Sequence, residues 1–139
     1  MTVQSTDNQV IRNKDYLMKP IVFQGASSVG GFSDIDAVYD VKGKALVLIE
    51  VKRRGSPLTT GQNILLDRMV MWCQKPCYAL TVWHDAKEDE DIILKDCMVV
   101  GMIHKDAETG KPKDKMMGGK FTVRQIVEAI EEKHGVFRR

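Results

Sequence analysis

From residue 35 onward the chain is a series of apolar runs of strand length, interrupted twice by segments whose apolar residues recur at helical spacing. IDAVYD (35–40) and ALVLIEVK (45–52) are rich in β-branched and apolar residues, and the intervening DVKGK supplies the glycine that a hairpin reversal needs. RRGSPLTT is loop-like. Thr59-Thr60-Gly61-Gln62 then has the Ser/Thr-x-x-Gln form of a capping box, which predicts a helix from there to about Lys75. Leu65, Met69 and Trp72 form one stripe of it, widened by Leu66, Val70 and Cys73 into a broad face to be buried. CYALTVWH (77–84) and CMVVGMIH (97–104) read as further strands, with the acidic DAKEDEDI between them as a solvated turn. KDAETGKPKDKMMGGK (105–120) reads as a long polar loop. A last helix is predicted from Thr122, whose Thr-x-x-Gln repeats the capping box. Its Val123, Ile126, Val127 and Ile130 follow the i, i+3, i+4, i+7 rule, leaving Arg124, Glu128, Glu131 and Glu132 for solvent.

Ahead of residue 35 the pattern is weaker, with a short helix over TDNQVIRNKDYLM, a short strand over PIVF and a turned loop at GASSVGG, where glycine and serine cluster. The succession of strand, hairpin, helix, strand, strand and helix predicts an α/β protein: a mixed central β-sheet flanked by α-helices. At 139 residues the whole chain, 1–139, fits a single domain able to bury a core.

Composition narrows the function classes only modestly. No apolar run approaches the ~20 residues of a membrane span, and MTVQSTDNQ lacks the apolar segment of a secretion signal, so the expected location is cytoplasmic with no membrane partner. The cysteines Cys73, Cys77 and Cys97 form an odd set, better suited to reduced, buried thiols than to a disulfide framework. Cys73 and Cys77 with His84 lack the second close-spaced pair that a zinc site requires. His84, His104 and His134 are read as strand-end or surface residues. A net charge of +2 leaves the partner open, because a nucleic-acid footprint lies in the local distribution of charge.

One constellation changes the picture. Glu50-Val51-Lys52 closes ALVLI, the most apolar strand of the chain, where ionised groups are costly unless compensated. Strand alternation puts Glu50 and Lys52 on one face and Val51 on the other, and it likewise pairs Asp34 with Asp36. Whether all four share a face depends on the turn. A two-residue loop at Lys42-Gly43 pairs position 36 with 49 and separates the acids, whereas one extra residue brings them together. DVKGK suits the second, with a type I turn over Asp40 to Gly43 and Gly43 left-handed in a bulge. Asp34, Asp36, Glu50 and Lys52 then form a polar corner, and Ile35, Ala37, Tyr39, Val47, Ile49 and Val51 an apolar face. Crowded carboxylates repel, and a divalent cation such as Mg²⁺ relieves them while keeping waters that a phosphate can displace. A lysine alongside can orient or deprotonate a water, or stabilise charge developing on a phosphate.

The run Ser33-Asp34-Ile35-Asp36-Ala37-Val38, then Leu48-Ile49-Glu50-Val51-Lys52, then a capped helix with Gln62, resembles the PD-(D/E)XK nuclease superfamily. The likeness is to small stand-alone Holliday-junction-resolvase-like and VRR-NUC domains, and it covers roughly residues 32 to 84. It implies a restriction-endonuclease-like αβββαβ core and a Mg²⁺- or Mn²⁺-dependent endonuclease that hydrolyses DNA, structure-selective for branched or junction substrates, and a homodimer. Carried over, Asp36 and Glu50 with the Val51 carbonyl would bind metal, with Asp34 the alternate to Asp36, and Lys52 would activate the attacking water. Gln62 matches a glutamine that such proteins place near the site, and it is equally the capping partner of Thr59. Arg53 and Arg54 follow the lysine where a phosphate backbone would lie, and Lys111, Lys113 and Lys115 could touch DNA from a mobile loop. This chain has no proline before the aspartate and no glutamate before Glu50, which puts a second metal in doubt unless Asp7 or Asp15 substitutes. The alternative is a catalytically idle nuclease fold serving as a nucleic-acid-binding or assembly module; a plain edge-strand ion pair of Glu50 and Lys52 is a third reading.

Overall fold

The computed structural model describes residues 25, 27–29 and 34–137. The chain divides into two units, Met1–Ser33 and Asp34–Arg139. In the first, Gly25 has φ +84° and the Val29 amide donates to Ser27 Oγ at 3.2 Å, the turned backbone that GASSVGG predicts. The expected helix over TDNQVIRNKDYLM and the strand over PIVF, together with Asp7 and Asp15, lie outside the described residues.

The second unit is an α/β assembly built on a five-stranded mixed sheet in the order β1-β2-β3-β4-β5. The strands are β1 (Ala37–Asp40), β2 (Leu46–Arg53), β3 (Cys77–His84), β4 (Met98–Lys105) and β5 (Pro112–Thr122); the helices are α1 (Thr60–Trp72) and α2 (Val123–Lys133). β2 and β3 run parallel, joined by α1 as a crossover, and every other neighbouring pair is antiparallel. Both helices start at the predicted capping boxes: Thr59 and Thr122 accept the N3 amides, and Gln62 and Gln125 return the bond to the cap amides. α1 stops at Cys73, short of the expected Lys75, because Pro76 disfavours helical backbone in the residue before it. Among the described residues, no helix is long and apolar enough to cross a membrane.

Side chains of β2 and β3 alternate between two faces, and each face has its own core. Val47, Ile49, Leu80 and Val82 pack with Val123 and Ile130 of α2, whereas Leu48, Cys77 and Ala79 pack with Leu66 and Val70 of α1. Leu48, Leu80, Val47 and Val82 are fully buried, each contributing about 1.5–3 kcal/mol of transfer free energy. The α1 stripe is narrower than expected, since Leu66, Met69, Val70 and Cys73 face the core while Trp72 is exposed.

Four further details depart from the sequence reading. Residues 112–120, expected within the polar loop 105–120, belong to β5: an edge strand needs only backbone bonds to β4, and its lysines and its Gly118-Gly119 kink, both glycines at φ +66°, suit an edge. Ile35 packs with the α1-side core rather than with Ala37 and Tyr39, because β1 starts only at Ala37 and strand alternation does not extend back to it. Glu131 is not on the solvent face of α2; its Oε2 accepts the Tyr39 hydroxyl at 2.7 Å. The hairpin turn also differs: Lys42 (φ +48°) and Gly43 (φ +73°) are both left-handed, Lys44 N–H donates to the Val41 carbonyl, and the extra residue enters after the turn, at Lys44. Val41 N–H bonds the Ala45 carbonyl across it, and Gly43 N–H is held by Asp40 Oδ1 at 2.7 Å.

Candidate metal site at the end of strand β2

The turn sets the register, and the register assembles the site. Ala37 pairs with Ile49 and Val38 with Leu48, so even positions meet even positions and Asp36 lies opposite Glu50. Asp36, just ahead of β1, comes against the Glu50 carboxyl on the α1 side, with Lys52 one pleat beyond Glu50. β1 begins at Ala37, so its ladder ends opposite Ile49. The next amide on that side of β2, Val51 N–H, is taken by Asp36 Oδ2 at 2.7 Å. Strand geometry turns the Val51 carbonyl toward the same side.

Glu50 is the one charged side chain among the described residues that is fully inside the protein, at 5% exposure. Its carboxyl is pushed up to about 7, first by burial, then by the Asp36 charge, with smaller contributions from Asp34 and from a hydrogen bond to Asp36; Lys52 pulls the other way. Gln62 Nε2 donates to Glu50 Oε1 at 3.1 Å, while Gln62 Oε1 accepts the Thr59 amide at 3.1 Å. One side chain thus caps the helix and also holds the buried carboxyl. The bonds run as a chain from the N-terminus of α1, through Gln62, Glu50 and Asp36, to the β2 backbone.

Asp34, Asp36, Glu50 and Lys52 are brought together; the other basic candidates are not. Arg54 forms a two-pronged ion pair with Asp85, at 2.7 and 2.9 Å, which ties the end of β2 to the end of β3. Arg53 is exposed and by alternation leaves the opposite face from Lys52. Lys113 and Lys115 sit on β5 opposite His104 and Met102, three strands from Glu50, or about 14 Å at sheet spacing. Burial, and after it the charge of Asp114 between them, raises the carboxyl of Asp67 on α1, which marks the α1 side and leaves Lys113 and Lys115 on the other. Lys111 precedes β5, its backbone closing the turn with Asp106. None of these three is in a mobile loop beside the acids.

Among the described residues no three His, Cys, Asp or Glu side chains are gathered as a metal-holding group, so a cation here would rely on two carboxylates and a backbone oxygen. Mg²⁺ accepts so few protein ligands because it keeps waters and takes substrate oxygens. The donor set fits in its chemistry: all-oxygen ligands, one of them a carboxyl whose burial and like-charged neighbours make its ionised form costly without a cation. The cysteines offer no rival centre. Cys77 and Cys97 are buried free thiols, and that of Cys77 is pushed up to about 12 by burial and by Cys73. His134 bonds the Tyr78 hydroxyl at 2.8 Å and His84 Nδ1 accepts the Ala86 amide, both structural.

One feature of the site carries no motif. A pocket of about 360 Å³ opens beside it, between the 56–59 segment, the first turn of α1 and strands β3 and β4. Its Thr81 and Trp83 are the β3 partners of Glu50 and Lys52. Only the parallel register could have indicated them. No family model, curated protein or solved structure matches this chain.

Proposed function

We propose that this chain is a metal-dependent nuclease of the PD-(D/E)XK type, hydrolysing DNA phosphodiester bonds with preference for branched or junction structures. The observation that carries the reading is Glu50: a buried carboxyl in the second half of β2, facing two aspartates and one lysine. A purely structural residue at that place would be replaced at lower cost by an apolar one. The hairpin, crossover helix and parallel strand also follow in the order that the later half of an αβββαβ core requires.

In this reading Asp36, Glu50 and the Val51 carbonyl hold Mg²⁺ or Mn²⁺, with Asp34 able to replace Asp36. The bound cation would supply charge neutralisation at the scissile phosphate and a more acidic water. Lys52, one pleat beyond Glu50 on the same face, would orient the attacking water and stabilise negative charge developing on the phosphate. Gln62 Nε2 holds one oxygen of the Glu50 carboxyl and so would steady that carboxylate as a ligand. Asp36 does two jobs, since its second oxygen is held by the Val51 amide. A homodimer would set two such sites across a branched duplex.

The competing reading, an idle nuclease fold that binds nucleic acid, is favoured by the lack of a third side-chain donor among the described residues. The deciding experiment incubates the protein with branched and linear DNA in Mg²⁺, Mn²⁺ or EDTA. Metal-dependent strand cleavage that is lost in Lys52→Ala supports the enzyme; tight DNA binding with no cleavage under any metal establishes the idle module.

A further inference from the structure

We infer that the pocket beside Glu50 and Lys52 receives one unstacked nucleobase of the substrate strand, so that the protein recognises nucleotides displaced from a duplex. The inference rests on the nuclease reading of the neighbouring carboxylates and extends it to the form of the substrate.

Placement comes first. Thr81 is the registered neighbour of Glu50, and Trp83 that of Lys52, on the adjacent parallel strand. Registered residues of parallel strands share a face, so the pocket wall starts one strand spacing, about 5 Å, from the groups proposed to act on the phosphate. A base and its own phosphate are joined through one sugar, and the two sites are close enough for one nucleotide to reach both.

The lining has the chemistry of a base and lacks that of a phosphate. Trp83, Pro57, Leu58 and Val100 give apolar surface, and Thr60, Asn63 and Thr81 add hydroxyl and amide groups to it. Among the described residues no lysine, arginine or carboxylate lines the pocket, so an ionic ligand is poorly matched. A planar heterocycle with donors and acceptors round its edge fits this mixture, and an aromatic wall is the usual platform for an unstacked base. Trp83 is set in place for that role, because its Nε1–H is held by the Ser56 carbonyl at 3.3 Å, which fixes the ring at the boundary between the pocket and the site. The volume, about 360 Å³, lies at the lower end of the range for small-ligand pockets. Selectivity then follows without sequence readout, since extruding a base costs least where the duplex is already branched, mismatched or single-stranded.

Gly101 offers a clean test. It pairs with Thr81, and a Cβ placed on it would meet nothing closer than Thr81 Cβ at 4.0 Å. Gly101→Val should therefore fill the pocket without disturbing the acids, and a β-branched residue suits a strand. Trp83→Leu is the second variant. In a Trp72→Phe background, where Trp83 is the only tryptophan, a short single-stranded oligonucleotide is titrated in EDTA and indole emission is followed. We expect saturable quenching. Gly101→Val should weaken it by about tenfold, the scale of one lost stacking contact, with circular dichroism and melting temperature retained. An oligonucleotide with abasic positions throughout should bind the protein without quenching, and Trp83→Leu should bind the base-bearing strand no better than the abasic one. Equal quenching by the abasic strand, or unchanged affinity in Gly101→Val, overturns the inference. A free nucleoside monophosphate that quenches as tightly as the oligonucleotide also overturns it, by making a small nucleotide the occupant. The two readings fail separately: base-dependent quenching without metal-dependent cleavage removes only the nuclease, and cleavage unaffected by Gly101→Val or by abasic substrate removes only the base pocket.

Discussion

The Asp36 carboxylate accepts the Val51 amide at 2.7 Å, so the aspartate that faces Glu50 also finishes the hydrogen bonding of the strand that carries Glu50. Its orientation is fixed before any cation arrives. Preorganisation of this kind lowers the cost of assembling a charged site, because the side-chain freedom is already lost on folding. Asp36→Ala should accordingly do two things at once: abolish metal-dependent cleavage and destabilise the protein by about 0.5–1.5 kcal/mol through the lost hydrogen bond to the Val51 amide. Asp36→Asn, whose carbonyl oxygen can still accept that amide, should recover the stability and not the cleavage. Urea melts and cleavage assays of the pair check this, and equal melts for the two variants would sink the dual role.

Glu50 predicts how stability changes with pH. Its carboxyl rises from the ordinary 4.5 to about 7 in the folded protein, so between those values the folded state holds a proton that the unfolded state has released. The stabilisation is fully present below about pH 4.5 and is lost as pH rises through about 7. With solvent near the rim taken into account the loss is on the order of 1–2 kcal/mol. In EDTA, Glu50→Gln should flatten this decline and melt at or above the parent at pH 8. A variant clearly less stable than the parent at pH 8, with neither protein responding to Mg²⁺, would make Glu50 an ion-pair partner instead.

The same carboxyl must lose its proton to take a cation. Mg²⁺ or Mn²⁺ should raise the parent melting temperature more at pH 8 than at pH 6, and calorimetry in buffers of different ionisation enthalpy should register proton release. Lys52→Ala should retain metal and DNA binding while losing cleavage. Undiminished cleavage by Lys52→Ala would remove lysine from the chemistry.

Gln62 separates capping from site support. Thr59→Ala removes the hydroxyl that accepts the Gln62 amide and should cost about 1 kcal/mol of stability, with little loss of cleavage, because the Gln62–Glu50 bond persists. Gln62→Ala breaks both bonds and should reduce cleavage well beyond its effect on the melt. If cleavage in the two variants instead tracks stability alone, Gln62 serves only as a cap.

Basic residues should divide by position rather than by type. Arg53→Ala, at the last residue of β2 with its side chain on the face opposite Lys52, should weaken DNA binding about equally for all sequences and lower the salt slope by about 1 if the backbone wraps the end of the strand. Lys113→Ala with Lys115→Ala, on the same face as Arg53 but three strands away, should leave both unchanged. Electrophoretic titrations at two salt concentrations distinguish them; a steeper loss from the β5 pair would place the nucleic acid across the sheet edge.

Most of the architecture was legible because local rules act over short spans. Thr59 and Thr122 announced their helices, since a cap and its partner lie three residues apart, and CYALTVWH declared β3 because a strand buried on both faces needs an unbroken apolar run. The shared face of Asp36 and Glu50 was readable too, from the parity of one turn, although left-handed Lys42 was not foreseen in its mechanism. β5 was illegible: as an edge strand it gains its place from β4's unpaired backbone, which leaves no mark on side chains such as Lys113 or Lys115. The tertiary structure alone decided what depended on neighbours distant in the chain. Burial behind Gln62 and beside Asp36 raised Glu50 to about 7, Asp85 engaged Arg54, Tyr39 drew Glu131 inward, and the parallel pairing of β2 with β3 put Trp83 next to Lys52. Sequence specifies periodicity and caps through contacts a few residues apart; desolvation, ion pairing and cross-strand register depend on which remote segment closes over a group, and that is settled only when the chain has folded.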